Sequence, residues 1–436
     1  MLVVLTLFAP AVRADAPACR TGRIDPRVAR VPAEIQQAVF AQPETALAPL
    51  VGWLLGGGGN DFEKVKILHD WIAEYIAYDA DTFLAGTTVD SSWQNTLRRR
   101  KAVCQGYAAL LEKMCALAGI PCEIISGYGR GYGFALAAAE NVRKTNHAWN
   151  AVYLQGQWYL VDATWDAGHL EQRSFRKGYG TAYLFLDPQQ FLYAHFPADP
   201  RWQLIRPACT AERFAQLPYL EGRFFEQHLR LATPLRRFHP VGESVQLTIE
   251  APPDIVLTAR LQDPAGVAQS ARRTLVCRQG AAVNILVTFP APGPWNVEVL
   301  SKARQDPGPY WLAAKLELQA SGGTPWTFPE TFGSFAAMEA FLYSPLYVPL
   351  TTDKPQEFKI RVRGAEEVHL RIGGRQWLPM KTGPEEKEVY RATATIPRDT
   401  AVQIVAKQPG QDASHWTLVD FTPEGTNGRD ADKVIR

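Results

Sequence analysis

Three residues in the first half of the chain have the types and the order that thiol chemistry requires: Cys104, His147 and Asp162. A cysteine attacks as its thiolate, so it needs surroundings that lower its pKa and a base that takes its proton. A carboxylate can then hold that base in one tautomer and stabilise its charged form. Each of the three falls at the edge of an expected element. Cys104 opens a stretch in which Tyr107, Leu110, Leu111, Met114 and Ala118 mark one face of a helix, stopped by Gly119 and by Pro121 beyond it. The sulfur therefore sits at a helix N-terminus, where unpaired N–H groups and the positive end of the dipole favour an anion.

A hairpin accounts for the other two. Residues 147–154 and 157–163 read as strands around Gln155-Gly156. With a two-residue loop Leu154 pairs with Gln157, His147 faces Thr164, and Asp162 lies one diagonal step away. Trp149, Trp158 and Leu160 share that sheet face. Diagonal neighbours are about 7–8 Å apart at the backbone, which side chains span. The constellation suits attack on an acyl carbon through a thioester, with His147 as base and Asp162 as its orienting partner. Gln105, Gly106 and Tyr107 beside the sulfur and Trp149 beside the histidine are candidate cleft residues. Gly106 either leaves room for a substrate backbone or serves helix packing. The Gly- and Tyr-rich stretch 127–134 reads as a loop that lines a cleft or simply turns.

Other polar groups invite the same question. The run Arg98-Arg99-Arg100-Lys101 reads as a solvated face, with support of the Cys104 thiolate as the alternative. His69-Asp70 lies within a helix capped by Asn60 or Asp61 and marked by Val65, Leu68, Ile72, Tyr75 and Ile76. Sequence neighbours on a helix do not face each other, so His69 is expected on the helix surface or behind the site. Tyr78-Asp79-Ala80-Asp81 reads as helix-end and turn chemistry, since it lacks a calcium loop's closing Glu.

The three segments together resemble the transglutaminase-like superfamily, with its papain-like core: Val103-Cys104-Gln105-Gly106-Tyr107-Ala108, Asn146-His147-Ala148-Trp149-Asn150-Ala151-Val152 and Trp158-Tyr159-Leu160-Val161-Asp162-Ala163-Thr164-Trp165. His69-Asp70-Trp71-Ile72, Ile76-Ala77-Tyr78-Asp79, His195-Phe196-Pro197 and Trp202-Gln203-Leu204 are similar to its kyphoscoliosis-peptidase branch. The resemblance runs from about Asp61 to Leu220. It implies Cys104 as nucleophile, His147 as base and Asp162 as orienting residue. For the oxyanion it implies the Cys104 backbone N–H and the Trp93 indole, although Trp93 also reads as an ordinary core or rim residue. The activity implied is that of a cysteine-dependent enzyme on protein or peptide amide bonds, giving hydrolysis, deamidation or cross-linking. The alternative is an inactive scaffold or a cell-surface protein-binding module.

These residues need a scaffold, and the length of 436 residues predicts several domains. The expected fold class is α+β: a papain/transglutaminase-like core and then two all-β immunoglobulin-like sandwiches. The expected limits are 1–16 for a signal peptide, 17–230 for the core with a helical extension, 231–321 and 346–424 for the sandwiches, 322–345 for a linker, and 425–436 for a disordered tail. Strands are expected at 244–250, 255–261, 282–289, 295–300 and 311–318, and again at 357–362, 367–372, 388–395, 401–407 and 416–421. Trp295, Trp311, Trp326, Trp377 and Trp416 are either buried sandwich tryptophans or binding platforms.

The apolar run from Leu2 to Val12, followed by Ala14-Asp15-Ala16, has the form of a secretory signal cleaved near Ala16. A secreted or periplasmic protein is expected, with no membrane span in the mature chain. A net charge of +2 supplies no field for nucleic acid. The expected partner is a protein or peptide substrate, with a cell-surface or cell-wall protein as a candidate. Six cysteines in so long a chain do not form a disulfide scaffold; Cys115 and Cys122 are either core thiols or a short bridge. No CxxC pair or HExxH occurs and the eight histidines are scattered, so neither a metal nor another cofactor is expected.

Overall fold

The computed structural model describes residues 20–131, 142, 144–408, 410 and 414–423. The signal segment, Cys19, the far end of the 127–134 stretch and the 425–436 tail lie outside the described residues. The chain forms two units, one ending at Leu217 and one beginning at Pro218.

In the first unit, helices Ala33–Ala41 and Pro43–Leu55 break at Pro43, as the proline predicts. The next helix, Asp61–Tyr75, starts on a reciprocal capping box in which Asn60 accepts from the Glu63 N–H and Glu63 accepts from the Asn60 N–H. Such caps contribute about 1 kcal/mol. Its inward residues Leu68, Trp71 and Ile72 meet Leu110, Leu111 and Met114 of helix Cys104–Leu117 in one fully buried core. Each such side chain contributes about 1.5–3 kcal/mol by leaving water.

Beside this core stands a five-stranded antiparallel sheet. Its order is Leu184–Leu186, Gln157–Val161, His147–Leu154, Cys122–Gly129 and His195–Pro197. The central hairpin has the expected two-residue loop, with Leu154 opposite Gln157 and Tyr153 opposite Trp158. Gln155 and Gly156 both adopt positive φ, 49° and 84°, the backbone of a tight turn whose twist matches the strands. Two expectations need correction here. The second strand stops at Val161, because Asp162 caps a short helix, Ala163–Asp166, so Thr164 has no strand partner and His147 pairs with Gly127 instead. Gly127 and Gly129 belong to a strand and not to a cleft loop.

The second unit holds two pairs of sheets. In the first pair, Ser244–Glu250, Ala282–Thr288 and Thr274–Gln279 form one face, and Ile255–Gln262, Gly293–Ala303 and Trp311–Ala320 the other. Tyr219–Leu220 pairs with Lys315 and Ala314, so this sandwich recruits chain well before the expected start at 231. In the second pair, one sheet runs Glu330–Thr331, Trp416–Asp420, Val402–Lys407, Glu367–Ile372 and Gln376–Pro379; the other contains Phe341–Ser344, Pro355–Arg361, Val389–Thr395 and Lys381–Thr382. The expected linker 322–345 is therefore part of a domain. It carries helix Gly333–Ala337 and strand Phe341–Ser344, and it buries Phe328, Phe335, Met338 and Leu342 in the second core. Trp326 and Trp377 are exposed at 47% and 37%, whereas Trp295, Trp311 and Trp416 are half-buried. Among the described residues no helix is long and apolar enough to cross a membrane.

Candidate active site

The structure brings Cys104, His147 and Asp162 together. Cys104 is the first residue of its helix, and no side chain caps that end. The Gly106 and Tyr107 N–H groups both bond to the Val103 carbonyl, which leaves those of Cys104 and Gln105 without a backbone acceptor among the described residues. The sulfur is held by the His147 imidazole and the Ala148 backbone N–H. Burial raises its pKa, but the imidazolium beside it reverses that, and the thiol ends below its ordinary value.

His147 presents Nε2 to Asp162 Oδ2 at 2.6 Å, leaving its other ring nitrogen for the sulfur. Burial would lower its pKa, yet the Asp162 carboxylate and the Cys104 thiolate raise it to about 10. Asp162 is itself buried, and its carboxyl is nonetheless driven well down by the imidazolium. The arrangement favours a thiolate–imidazolium pair backed by a carboxylate. Asp162 also caps the short helix, since its Oδ1 accepts from the Thr164 and Trp165 N–H groups at 2.9 and 3.2 Å.

Several groups at the site were not among the expected site residues. His195, on the edge strand, donates from Nε2 to the same Asp162 Oδ2 at 2.9 Å and is wholly buried; burial holds its pKa near 4, so it stays neutral. Its Phe196-Pro197 neighbours carry the family resemblance, and that was the signal available. Trp165 stacks on His147 with centroids 4.9 Å apart and 23° between planes, and it packs on His195 at 4.3 Å. Tyr78 has its pKa raised by burial and by the negative charges of Cys104 and Asp162. His147, Asp162 and His195 place three ligand-type atoms within 4.8 Å. Both histidine Nε2 atoms are engaged on the carboxylate, so the arrangement serves proton placement before it could serve a metal.

Among the remaining candidates, Gly106, Tyr107 and Trp149 are engaged in packing. A Cβ on Gly106 would lie 2.5 Å from Thr96 Oγ1 and 2.6 Å from Ala102 Cβ, so that glycine lets two elements pack and does not face a cleft. Tyr107 is buried, and its hydroxyl donates to the Ile76 carbonyl at 2.7 Å. Trp149 is buried against His147, Phe191 and His195 as a wall behind the base. Gln105 is exposed beside the sulfur. Trp93 packs on the first core with the Lys113 ammonium over its ring at 5.7 Å, nine residues along the helix from Cys104. The basic run is engaged elsewhere. Arg98 pairs with Glu44, Arg99 and Lys101 reach Asp79 at 2.6 and 3.4 Å, and Arg100 covers Phe40. Asp79 caps helix Ala80–Ala85. Cys115 and Cys122 are free thiols in mutual contact, not a bridge.

Of the two places expected for His69, the helix surface or behind the site, the structure takes the second, since the residue is wholly buried, and contrary to expectation it also meets its sequence neighbour Asp70. Its Nδ1 meets Asp70 Oδ1 at 3.2 Å and its Nε2 meets Asp166 Oδ2 at 3.1 Å. Asp70 also takes the Lys66 ammonium, the Asp25 N–H and the Tyr179 hydroxyl. Burial works against the charged imidazole, but two carboxylates raise it to about 9. The result is a charged clamp between helix Asp61–Tyr75 and the short helix that Asp162 caps.

Residues 50–163, which contain all three reactive residues, match the profile of the transglutaminase-like superfamily, and residues 211–329 match a KY-like, immunoglobulin-like domain. Over 211 residues the chain is 32% identical to mouse (Mus musculus) kyphoscoliosis peptidase, covering 48% of this chain and 32% of that protein. Hillarin of Drosophila melanogaster is 29% identical over 209 residues, 45% of this chain and 25% of that protein. This chain thus spans about a third or less of the curated relatives named here. A TGase crystal structure aligns at 21% identity over 32% of this chain and 34% of that one, with a TM-score of 0.23. The chain carries a transglutaminase-like core domain followed by a KY-like immunoglobulin-like domain, and it is homologous to kyphoscoliosis peptidase.

Proposed function

We propose that this chain is a cysteine-dependent acyl-transfer enzyme acting on carboxamide or peptide bonds of proteins. The observation that carries the reading is the Cys104 sulfur at an uncapped helix N-terminus, beside an imidazole whose far nitrogen is bonded to buried Asp162. The thiolate adds to the carbonyl carbon, and the oxyanion takes the free N–H groups of Cys104 and Gln105. Collapse breaks the C–N bond as His147 passes its proton to the leaving nitrogen, giving a thioester and ammonia or an amine. An acceptor then attacks, His147 takes its proton, and the Cys104 thiolate departs. Water as acceptor gives hydrolysis or deamidation; a lysine amine gives a cross-link. Exposed Gln105 stands where a substrate chain would approach.

The test compares wild type with Cys104→Ala on glutamine-containing peptides, with and without a primary amine. Mass spectrometry scores ammonia release, backbone cleavage and amine incorporation separately. Activity in any channel that vanishes in the variant supports the reading. Equal traces in every channel would sink it and leave a binding scaffold. We also propose that the protein is exported through its N-terminal segment and acts in an oxidising compartment, where Cys104 is liable to capping. Added reductant should then raise the activity of protein isolated without it.

A further inference from the structure

Far from Cys104 in sequence, the second sandwich gathers a cluster that no local motif announces. Glu367 and His369 lie two residues apart on strand Glu367–Ile372 and so project from the same face. His415 stands immediately before strand Trp416–Asp420, on the far side of the intervening strand Val402–Lys407. Val405, wholly buried between His369 and Thr417 in register, forms the floor.

The donor atoms converge. Glu367 Oε2 lies 3.9 Å from His369 Nδ1 and 3.8 Å from His415 Nε2, and all three atoms fall within 4.8 Å of one another. These separations are too long for hydrogen bonds. Both nitrogens are shielded from solvent and have no hydrogen-bond partner among the described residues. Donors in a tetrahedral zinc site stand about 3.4 Å apart, as bonds of about 2.0–2.2 Å require, so each Glu–His separation closes by about 0.5 Å and the His–His separation by at most about 1.4 Å, within reach of side-chain rotation. The imidazole side chains are 18% and 17% exposed, against 49% for the carboxylate, which leaves the open side toward solvent. Trp377 packs edge-on against both rings at 5.7 and 5.0 Å and braces them. The neighbouring cations are turned aside: Lys407 pairs with Glu366 at 3.2 Å, and the Arg371 guanidinium lies over Trp377 and bonds to the Gly374 carbonyl and Gln403.

We propose that Glu367, His369 and His415 bind one divalent transition-metal ion of the zinc and copper class, with a fourth position open to water. Two imidazoles and a carboxylate suit these borderline ions, whereas calcium and magnesium call for oxygen ligands throughout. The ion ties together the two strands that flank the central one.

The experiment uses the full chain, equilibrated with zinc by dialysis and analysed for bound metal, beside His369→Asn/His415→Asn and Glu367→Gln. Because the Cys104 region also has ligand-type atoms, the difference between proteins is the readout. Wild type should bind one equivalent more than the double variant, with that equivalent released as the pH falls below about 6.5 and the imidazoles protonate. Glu367→Gln should weaken it by about tenfold or more. Copper should quench a fluorescence component that is missing in Trp377→Phe. Equal metal content in wild type and the double variant overturns the proposal. Should the double variant fail to fold by circular dichroism, unchanged affinity in Glu367→Gln overturns it equally.

Discussion

The protonation state of Cys104 is settled by its immediate neighbours, and the consequences are measurable. A free cysteine titrates near 8.5, whereas a thiolate held by an imidazolium alkylates well below that. The alkylation rate of Cys104 should therefore rise at lower pH than that of a free cysteine, read as iodoacetamide incorporation by mass spectrometry. Asp162→Asn keeps the side-chain shape but points an amide donor at His147 Nε2, which leaves the ring proton on the nitrogen facing sulfur. The base is then in the wrong tautomer, and kcat should fall by on the order of 10⁴, as expected for loss of the orienting carboxylate. The alkylation profile should move up toward the free-thiol value in the same variant. Flat alkylation between pH 6 and 9 in both proteins would contradict this account. The order cysteine, histidine, aspartate was legible in the sequence because each side chain sits at an element edge with recognisable local chemistry. His195 was not, since it reaches Asp162 from 33 residues further on, through an edge strand three residues long.

At the scale of elements, the site depends on how strands and short helices are spaced. A Cβ on Gly129 would fall 2.9 Å from His147 Cβ and 3.0 Å from its ring, so the strand must carry glycine where the base packs. Gly129→Ala should cost about 1–3 kcal/mol in denaturant unfolding, and turnover should fall disproportionately as the imidazole is displaced. A second prediction concerns the His69 clamp. Its folded pKa of about 9 exceeds the unfolded value near 6.5. The stability it contributes is thus fully present below about 6.5 and is lost as pH rises through about 9. His69→Gln should lower stability by about 3–5 kcal/mol at pH 6, because it strands buried carboxylates. The gap in melting temperature between the two proteins should narrow toward pH 9.5; a gap independent of pH would refute the charged clamp. The hairpin register was readable because Gln155-Gly156 fixes the loop length, and every later pair follows from it. The clamp was not, because one of its carboxylates, Asp166, lies 97 residues from His69.

For the whole molecule, all the side chains described around Cys104 come from before Leu217, and that unit has its own core. Residues 20–217 expressed alone should fold cooperatively by circular dichroism and alkylate at the rate of the full chain. Slow labelling in a folded fragment would mean that the second unit completes the site. The two β-sandwiches were legible from short alternating strands, but the boundary between them was not. Ser321-Gly322-Gly323-Thr324-Pro325 has the composition of a linker, and that composition masked the apolar residues just after it. Phe335 and Met338 stand at helical spacing, but the helix there, Gly333–Ala337, is only five residues long, too short for a period to stand out, and with Phe328 they fill the second core.

The double duty of Asp162 bears on how such chains diverge. One carboxylate oxygen holds the imidazoles and the other caps the helix that carries Trp165 and Asp166, so selection for folding alone would preserve the aspartate after chemistry had ceased to matter. Cys104, at a helix start that no side chain caps, has no comparable structural duty, and in a descendant kept only as a scaffold it would drift first. Among relatives, a retained aspartate is therefore poor evidence of turnover, and the cysteine is the position that separates working enzymes from retired ones.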